Sequence, residues 1–131
     1  MFQSESLRLA LPYAGRDVTV TIDRPYGSRH PAHGFRYDAN YGYVAGTSAP
    51  DGDPLDAYLL GPDSPVAEGR GRCVAVIHRL DDDDDKLVVT DRPDLSDEIL
   101  AAVGFQEGLA GRHVLLRPSP ATEGAEPSWL L

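Results

Sequence analysis

Glycine, proline and aspartate interrupt this chain so often that most apolar segments have the length of β-strands rather than of helices. In DVTVTID, residues 17–23, apolar and polar residues alternate, which predicts a strand with one buried face. Leu7, Leu9 and Leu11 alternate in the same way and predict another strand. Further segments have strand-like composition: YDANYGYV, LDAYLLG, RCVAVIHRL, KLVVTD and RHVLLRP.

A single segment, Ser96 to about Gln106, has the pattern of a helix. Ser96 is a typical N-cap residue, Asp97 and Glu98 lie in the first turn, where the helix dipole favours acidic side chains, and apolar residues after them share one face. One short helix among six or seven strands predicts a mainly β (α+β) fold in the form of a small barrel.

The chain length of 131 residues is that of one domain, and such a domain buries enough surface for a core without disulfides. We therefore expect a single domain over residues 1–131, with residues 118–131 loosely held unless Trp129 docks on the core. Cys73, the one cysteine, lies in the apolar run CVAVI, which favours a buried structural thiol.

The charge of the chain limits its partners. A net charge of −9 argues against nucleic acid and anionic membranes and favours bound cations. No segment has the roughly 20 consecutive apolar residues of a membrane span. The N-terminus lacks the pattern of a signal peptide, so we expect a cytoplasmic protein.

The segment DGDPLD places Asp51, Asp53 and Asp56 close together and adds a glycine and a proline between them. These are ordinary turn residues, so a solvated turn is one interpretation and a cation site is another. An EF-hand loop is excluded, because it requires glycine at its sixth position and glutamate at its twelfth, where this chain has Asp56 and Pro62. The sequence of this segment alone is compatible with both the solvated turn and the cation site.

A second acidic segment, LDDDDDKL, lies between two strand-like segments and is predicted to form the tip of a hairpin. Adjacent carboxylates repel one another, which is typical of a solvated loop. Lys86 follows them and is the only lysine in the chain. An ammonium group beside a carboxylate cluster is also the chemistry of a site for metal-bound phosphate.

In chain order, IDRPYGSRH, RYDANYGYV, DGDPLD and VAVIHRLDDDDDKLVV resemble segments of the soluble, Mg-dependent inorganic pyrophosphatases. The most specific part is YDANYGYVAGTSAPDGDPLD, in which NYGY precedes a D-x-D-P-x-D segment at the family's spacing. The resemblance implies a five-stranded oligonucleotide-binding-like (OB-like) β-barrel with a small helix. It also implies hydrolysis of inorganic pyrophosphate to two phosphates by metal-activated water.

The resemblance further implies that several carboxylates hold Mg²⁺ ions: Asp51, Asp56, Asp81, Asp84 and Asp23. Asp53 would be the general base. Asp23 stands where the family has glutamate, and its shorter side chain suits binding through a water molecule. Within the aspartate run, residues 82 and 83 stay open as alternatives to Asp81 and Asp84. Mn²⁺ and Zn²⁺ are potential substitutes for Mg²⁺.

For the phosphate groups the resemblance implies contacts from Arg29, Arg36, Tyr41 and Lys86. Arg36 would replace an arginine from a family hairpin that is reduced here to HPAHGF. A Tyr-Lys pair of the family is replaced by Phe105 and Gln106. The metal-binding half of the site is thus expected to be better preserved than the phosphate-binding half.

These departures leave two alternatives to pyrophosphate hydrolysis. One is a catalytically weak relative that binds metal and phosphate, and the other is a hydrolase of a larger phosphoanhydride. A homo-oligomer also stays open, because members of the family often assemble.

Overall fold

The computed structural model describes residues 5–32, 34, 36–37, 39–62, 64–79, 85–92, 113–118 and 129–130. Within these ranges the chain forms one α-helix, α1 (Glu5–Ala10), which continues into a 3₁₀ helix (Leu11–Tyr13). The strands are β1 (Asp17–Arg24), β2 (Asn40–Val44), β3 (Leu55–Leu60), β4 (Glu68–Arg79), β5 (Lys86–Thr90), β6 (His113–Pro118) and β7 (Trp129–Leu130).

Five of these strands close into a barrel. Their order is β1-β2-β3-β5-β4, and β4 pairs back onto β1. The pairing of β3 with β5 is parallel, and the other pairings in the barrel are antiparallel. Strand β6 pairs with the last residues of β4, and β7 pairs with β6. The predicted mainly β fold with a five-stranded barrel is confirmed.

The strands of the barrel have two buried faces. The interior face is lined by an apolar cluster from all five strands, which includes Val20, Val44, Leu55, Val76 and Leu87. The outer face of β3, β4 and β5 carries a second cluster, which includes Tyr58, Ile77 and Val88. Strand β5 is buried along its whole length, in agreement with the near-continuous apolar run that its sequence contains.

The strand predicted from Leu7, Leu9 and Leu11 is wrong, because this segment forms α1 and the 3₁₀ helix. Leu7 and Ala10 are three residues apart and both pack on the interior cluster, whereas Arg8 pairs with Glu5 on the exposed side at 2.6 Å. This spacing of three is helical, and packing against the barrel decides between it and the alternation of leucines.

The helix predicted over residues 96–106 lies outside the described residues. Among the residues that are described, no helix is long and apolar enough to cross a membrane.

Candidate functional site

Two of the predicted site residues lie side by side on the outer face of the barrel. The parallel register aligns Ala57 of β3 with Leu87 of β5, and Asp56 and Lys86 immediately precede these residues. Since neighbouring residues in register share a face, Asp56 and Lys86 project to the same side of the sheet. The barrel thus brings a carboxylate of DGDPLD next to the only lysine of the chain.

The remaining carboxylates of DGDPLD lie on the turn before β3. The Asp51 carboxylate accepts a hydrogen bond from the Asp53 N–H at 3.0 Å, and the Asp53 carbonyl accepts one from the Ala49 N–H at 2.7 Å. Gly52 has a φ of 87°, a conformation that favours glycine. Both Asp51 and Asp53 are exposed, so a well-formed turn presents two carboxylates to solvent.

A buried threonine attaches this turn to the barrel. The Thr47 hydroxyl donates a hydrogen bond to the Val44 carbonyl at 2.6 Å and accepts one from the Leu55 N–H at 2.8 Å. It therefore links the end of β2 to the start of β3. Sequence reasoning missed this role, because a threonine in GTSAP has no pattern that distinguishes it from an exposed loop residue.

Asn40, in NYGY, holds a second loop. Its carbonyl oxygen accepts hydrogen bonds from the Tyr26 N–H at 3.0 Å and the Val66 N–H at 3.3 Å, and its amide donates to the Ser64 carbonyl at 3.1 Å. The side chain is fully buried. One amide therefore fixes the turn that leads to Arg29 against the connection between β3 and β4.

Tyr37, which was not among the predicted site residues, lies close to several charged groups. Burial raises the pKa of Tyr37 above its ordinary value, the Arg24 guanidinium opposes this by its charge and a hydrogen bond, and Asp23 and Asp56 raise the pKa further. Their influence places Asp23, Arg24 and Asp56 around the phenol. The Tyr37 ring also stacks on Tyr41, with centroids 5.6 Å apart.

A β-bulge sets the position of Asp23. The register of β1 against β2 shifts between Ile22 and Arg24, so that Arg24 rather than Asp23 is opposite Tyr41. Bulges change the direction in which side chains project. Asp23 is exposed at this point, and the simple alternation of DVTVTID did not predict the irregularity.

The two candidate arginines face each other. Arg29 and Arg36 form an isolated antiparallel bridge. The Arg29 guanidinium donates to the Gly34 carbonyl at 3.1 Å, and the Arg36 guanidinium lies 6.0 Å from the Tyr26 ring centroid. Among the described residues, neither arginine forms an ion pair with a carboxylate.

Lys86 opens β5 and is nearly buried, with 4% relative exposure. Asp85 before it is also buried, and its carboxylate lies 2.9 Å from His78 Nδ1. Asp81 and Asp84 lie outside the described residues. Within the described ranges, no group of three or more His, Cys, Asp or Glu side chains is arranged to hold a metal ion.

Comparisons with known proteins agree with this fold. A sequence model described as "Inorganic pyrophosphatase" matches residues 18–103. The chain is 45% identical over 85 residues to an inorganic pyrophosphatase of Pseudomonas aeruginosa, a match that spans 61% of this chain and 48% of that protein. The matched residues span about half the length of that relative.

Solved structures show the same fold. The inorganic pyrophosphatase from Ehrlichia chaffeensis superposes with a TM-score of 0.62 at 22% identity, over 76% of this chain and 84% of that one. The inorganic pyrophosphatase from Coxiella burnetii superposes with a TM-score of 0.50 at 25% identity, over 70% of this chain and 75% of that one. With the family model matched over most of the barrel, the chain belongs to the inorganic pyrophosphatase family.

Proposed function

We propose that this protein hydrolyses inorganic pyrophosphate to two phosphates with Mg²⁺ as its cofactor. The observation that carries the proposal is the shared face of Asp56 and Lys86 on neighbouring strands. It combines a carboxylate for a metal ion with an ammonium group for a phosphate oxygen, beside a turn that presents two further carboxylates. Membership of the family supports the same reaction.

The available side chains fit a hard divalent cation. Asp51, Asp53 and Asp56 offer only oxygen donors, and the first two are exposed to solvent. In the proposal Asp51, Asp56, Asp81 and Asp84 bind Mg²⁺ directly, and Asp23 binds through a water molecule. Mn²⁺ and Zn²⁺ are proposed substitutes. When bound, Mg²⁺ neutralises phosphate charge and lowers the pKa of water.

The chain's own residues would then move the proton and hold the phosphates. Asp53 accepts the proton of the attacking water, since its carboxylate is exposed and its backbone is fixed by the turn. Lys86 and Tyr41 contact the phosphate near the metal ligands. Like charges directly opposite on paired strands are unfavourable, so a phosphate group between Arg29 and Arg36 would relieve their repulsion.

The test is phosphate release from pyrophosphate in Mg²⁺ by the wild type, Asp53→Asn and Asp17→Asn. Asp17 is an exposed aspartate of β1 whose carboxylate lies 3.9 Å from Arg72, away from the proposed site, and provides a matched control. We expect release that a chelator abolishes, a loss of about 100-fold or more in Asp53→Asn, and normal release in Asp17→Asn. Folded wild type with no release above the Asp53→Asn background, in Mg²⁺, Mn²⁺ and Zn²⁺, would contradict the proposal.

Substrate comparison separates the two alternatives. Faster release from tripolyphosphate or a nucleoside triphosphate than from pyrophosphate would identify a larger phosphoanhydride as the substrate. Binding of metal and phosphate without turnover of any of these compounds would identify a non-catalytic relative.

A further inference from the structure

Asp85 is buried, unlike the two acidic residues of the turn before β3. Its side chain has 0% relative exposure, whereas Asp51 and Asp53 are exposed. Removing a carboxylate from water is costly unless a hydrogen-bond donor compensates for the loss. His78 Nδ1 lies 2.9 Å from the Asp85 carboxylate, and because an ionised carboxylate only accepts hydrogen bonds, His78 compensates when its ring carries the proton on Nδ1.

The His78–Asp85 pair lies on the interior face of the hairpin formed by β4 and β5. Val76 and Leu87 are paired across this hairpin and belong to the interior cluster, and His78 and Asp85 are each two residues beyond them. Lys86, between Asp85 and Leu87, projects to the outer face, which also carries Asp56. Asp85 therefore points to the face opposite the one that carries Asp56.

The surrounding sequence specifies the register of this hairpin weakly. Five consecutive aspartates are interchangeable, and β5 is buried on both faces, so its apolar residues fit either face. A slip of one residue would exchange the faces of Asp85 and Lys86. In the observed register Asp85 is hydrogen-bonded to His78, which is also held by pairing with Val114 of β6, and this contact holds the start of β5 against β4.

We propose that His78 and Asp85 form a positioning pair, whose hydrogen bond holds the start of β5 in the register that presents Lys86 beside Asp56 to a phosphate oxygen. Asp85 is then a positioning residue and not a metal ligand, although it belongs to the same aspartate run as Asp81 and Asp84. The inference rests on the proposed function for the identity of the ligand, which is an inorganic phosphate group.

The single lysine provides a readout that does not depend on turnover. In protein labelled with [¹³C]lysine, one Cε resonance reports Lys86, and its change on addition of inorganic phosphate and Mg²⁺ measures the contact. His78→Asn keeps an N–H donor near the position of Nδ1, whereas His78→Gln moves the donor to the position of Nε2. Asp85→Asn keeps an acceptor for His78 and removes the negative charge.

We expect His78→Asn and Asp85→Asn to keep the phosphate response of Lys86 and a KM for pyrophosphate within about threefold of the wild type. His78→Gln is expected to lose the response and to raise KM about tenfold, with a smaller change in kcat, because a phosphate contact of the bound substrate is misplaced. Circular dichroism and urea unfolding of each variant establish that it is folded.

Three results would overturn the positioning role. The first is a wild-type phosphate response and KM in His78→Gln. The second is a loss in Asp85→Asn as large as in Asp53→Asn, since that would mean the negative charge itself is required. The third is a His78→Gln variant that is less stable than the wild type but has an unchanged Lys86 resonance. That result would show that the contact between His78 and Asp85 only stabilises the fold. Should the wild type bind phosphate without hydrolysing pyrophosphate, the proposed function fails and the resonance comparison still decides this inference.

Discussion

Two buried polar side chains hold the loops that carry the exposed groups of the candidate site. Asn40 and Thr47 make their hydrogen bonds to backbone groups of the neighbouring loops, while Asp51 and Asp53 remain exposed on the turn. A buried side chain that satisfies two backbone groups contributes to stability and also limits how far a loop moves. Buried residues that were not predicted from the sequence thus hold the loops of the candidate site in place.

Replacement of Thr47 tests this support. Thr47→Val removes the acceptor of the Leu55 N–H and the donor to the Val44 carbonyl, and we expect it to lower the free energy of unfolding by about 1–3 kcal/mol. Thr47→Ser keeps the hydroxyl and should lose less. Urea unfolding of both variants measures the difference, and equal stability of the two would show that the hydroxyl contributes nothing.

The strands of the barrel could be predicted from the sequence, because each of them has either alternating apolar and polar residues or a continuous apolar run. Prediction from the sequence failed for α1, where contacts with the barrel decide between a helix and a strand for the same leucines. It could not reveal the bulge at Asp23 or the contact of Arg24 with Tyr37, since both depend on how β1 is positioned in the sheet. The shared face of Asp56 and Lys86 likewise appears only when the parallel register of β3 and β5 is known.

Close contact between β1 and β2 requires the glycine of NYGY. A Cβ on Gly42 would overlap the Thr21 carbonyl of the paired strand. A Cβ on Gly46 would have no neighbouring atom within 4 Å, so a substitution there is disfavoured only by the backbone φ of 82°. We expect Gly46→Ala to cost about 1–2 kcal/mol, and Gly42→Ala to cost more, because the strands must separate. Thermal unfolding of both variants gives the order, and a smaller loss for Gly42→Ala would refute the contact.

For the whole molecule, the net charge of −9 makes the folded state repel itself until cations bind. Specific binding to the carboxylates and general screening both reduce this repulsion, and they differ in how they depend on the kind of salt. A site that selects divalent cations would therefore be visible in the stability of the protein before any activity is measured.

Mg²⁺ is accordingly expected to raise the Tm of the wild type by more than NaCl of equal ionic strength, because binding to the folded state adds to screening. In Asp51→Asn/Asp56→Asn the difference between the two salts should shrink. Differential scanning calorimetry at matched ionic strength measures it. The same rise in both salts would indicate screening alone.

Alkaline pH should weaken the fold through its one thiol. Burial raises the pKa of Cys73 from 9.0 to about 12, so above pH 9 the unfolded chain loses a proton that the folded chain retains. Stability therefore falls as pH rises between these values, by roughly 1 kcal/mol between pH 8 and pH 10 from this group. Urea unfolding of the wild type at pH 8 and pH 10 should show this loss of stability, and the loss should be smaller in Cys73→Ala. The same pH dependence of stability in both proteins would show that the thiol is not its cause.

The pairing that closes the barrel also sets the order in which the chain is able to fold. Strand β1 pairs with β2, which follows it closely in the sequence, but its other partner, β4, lies roughly fifty residues further along the chain. Closing so large a loop costs entropy before the contact is made, whereas β2 and β3 form a local hairpin at lower cost. Barrel closure is therefore a late event in folding, and a nascent chain that ends before β4 exposes an edge of β1 that has no partner yet.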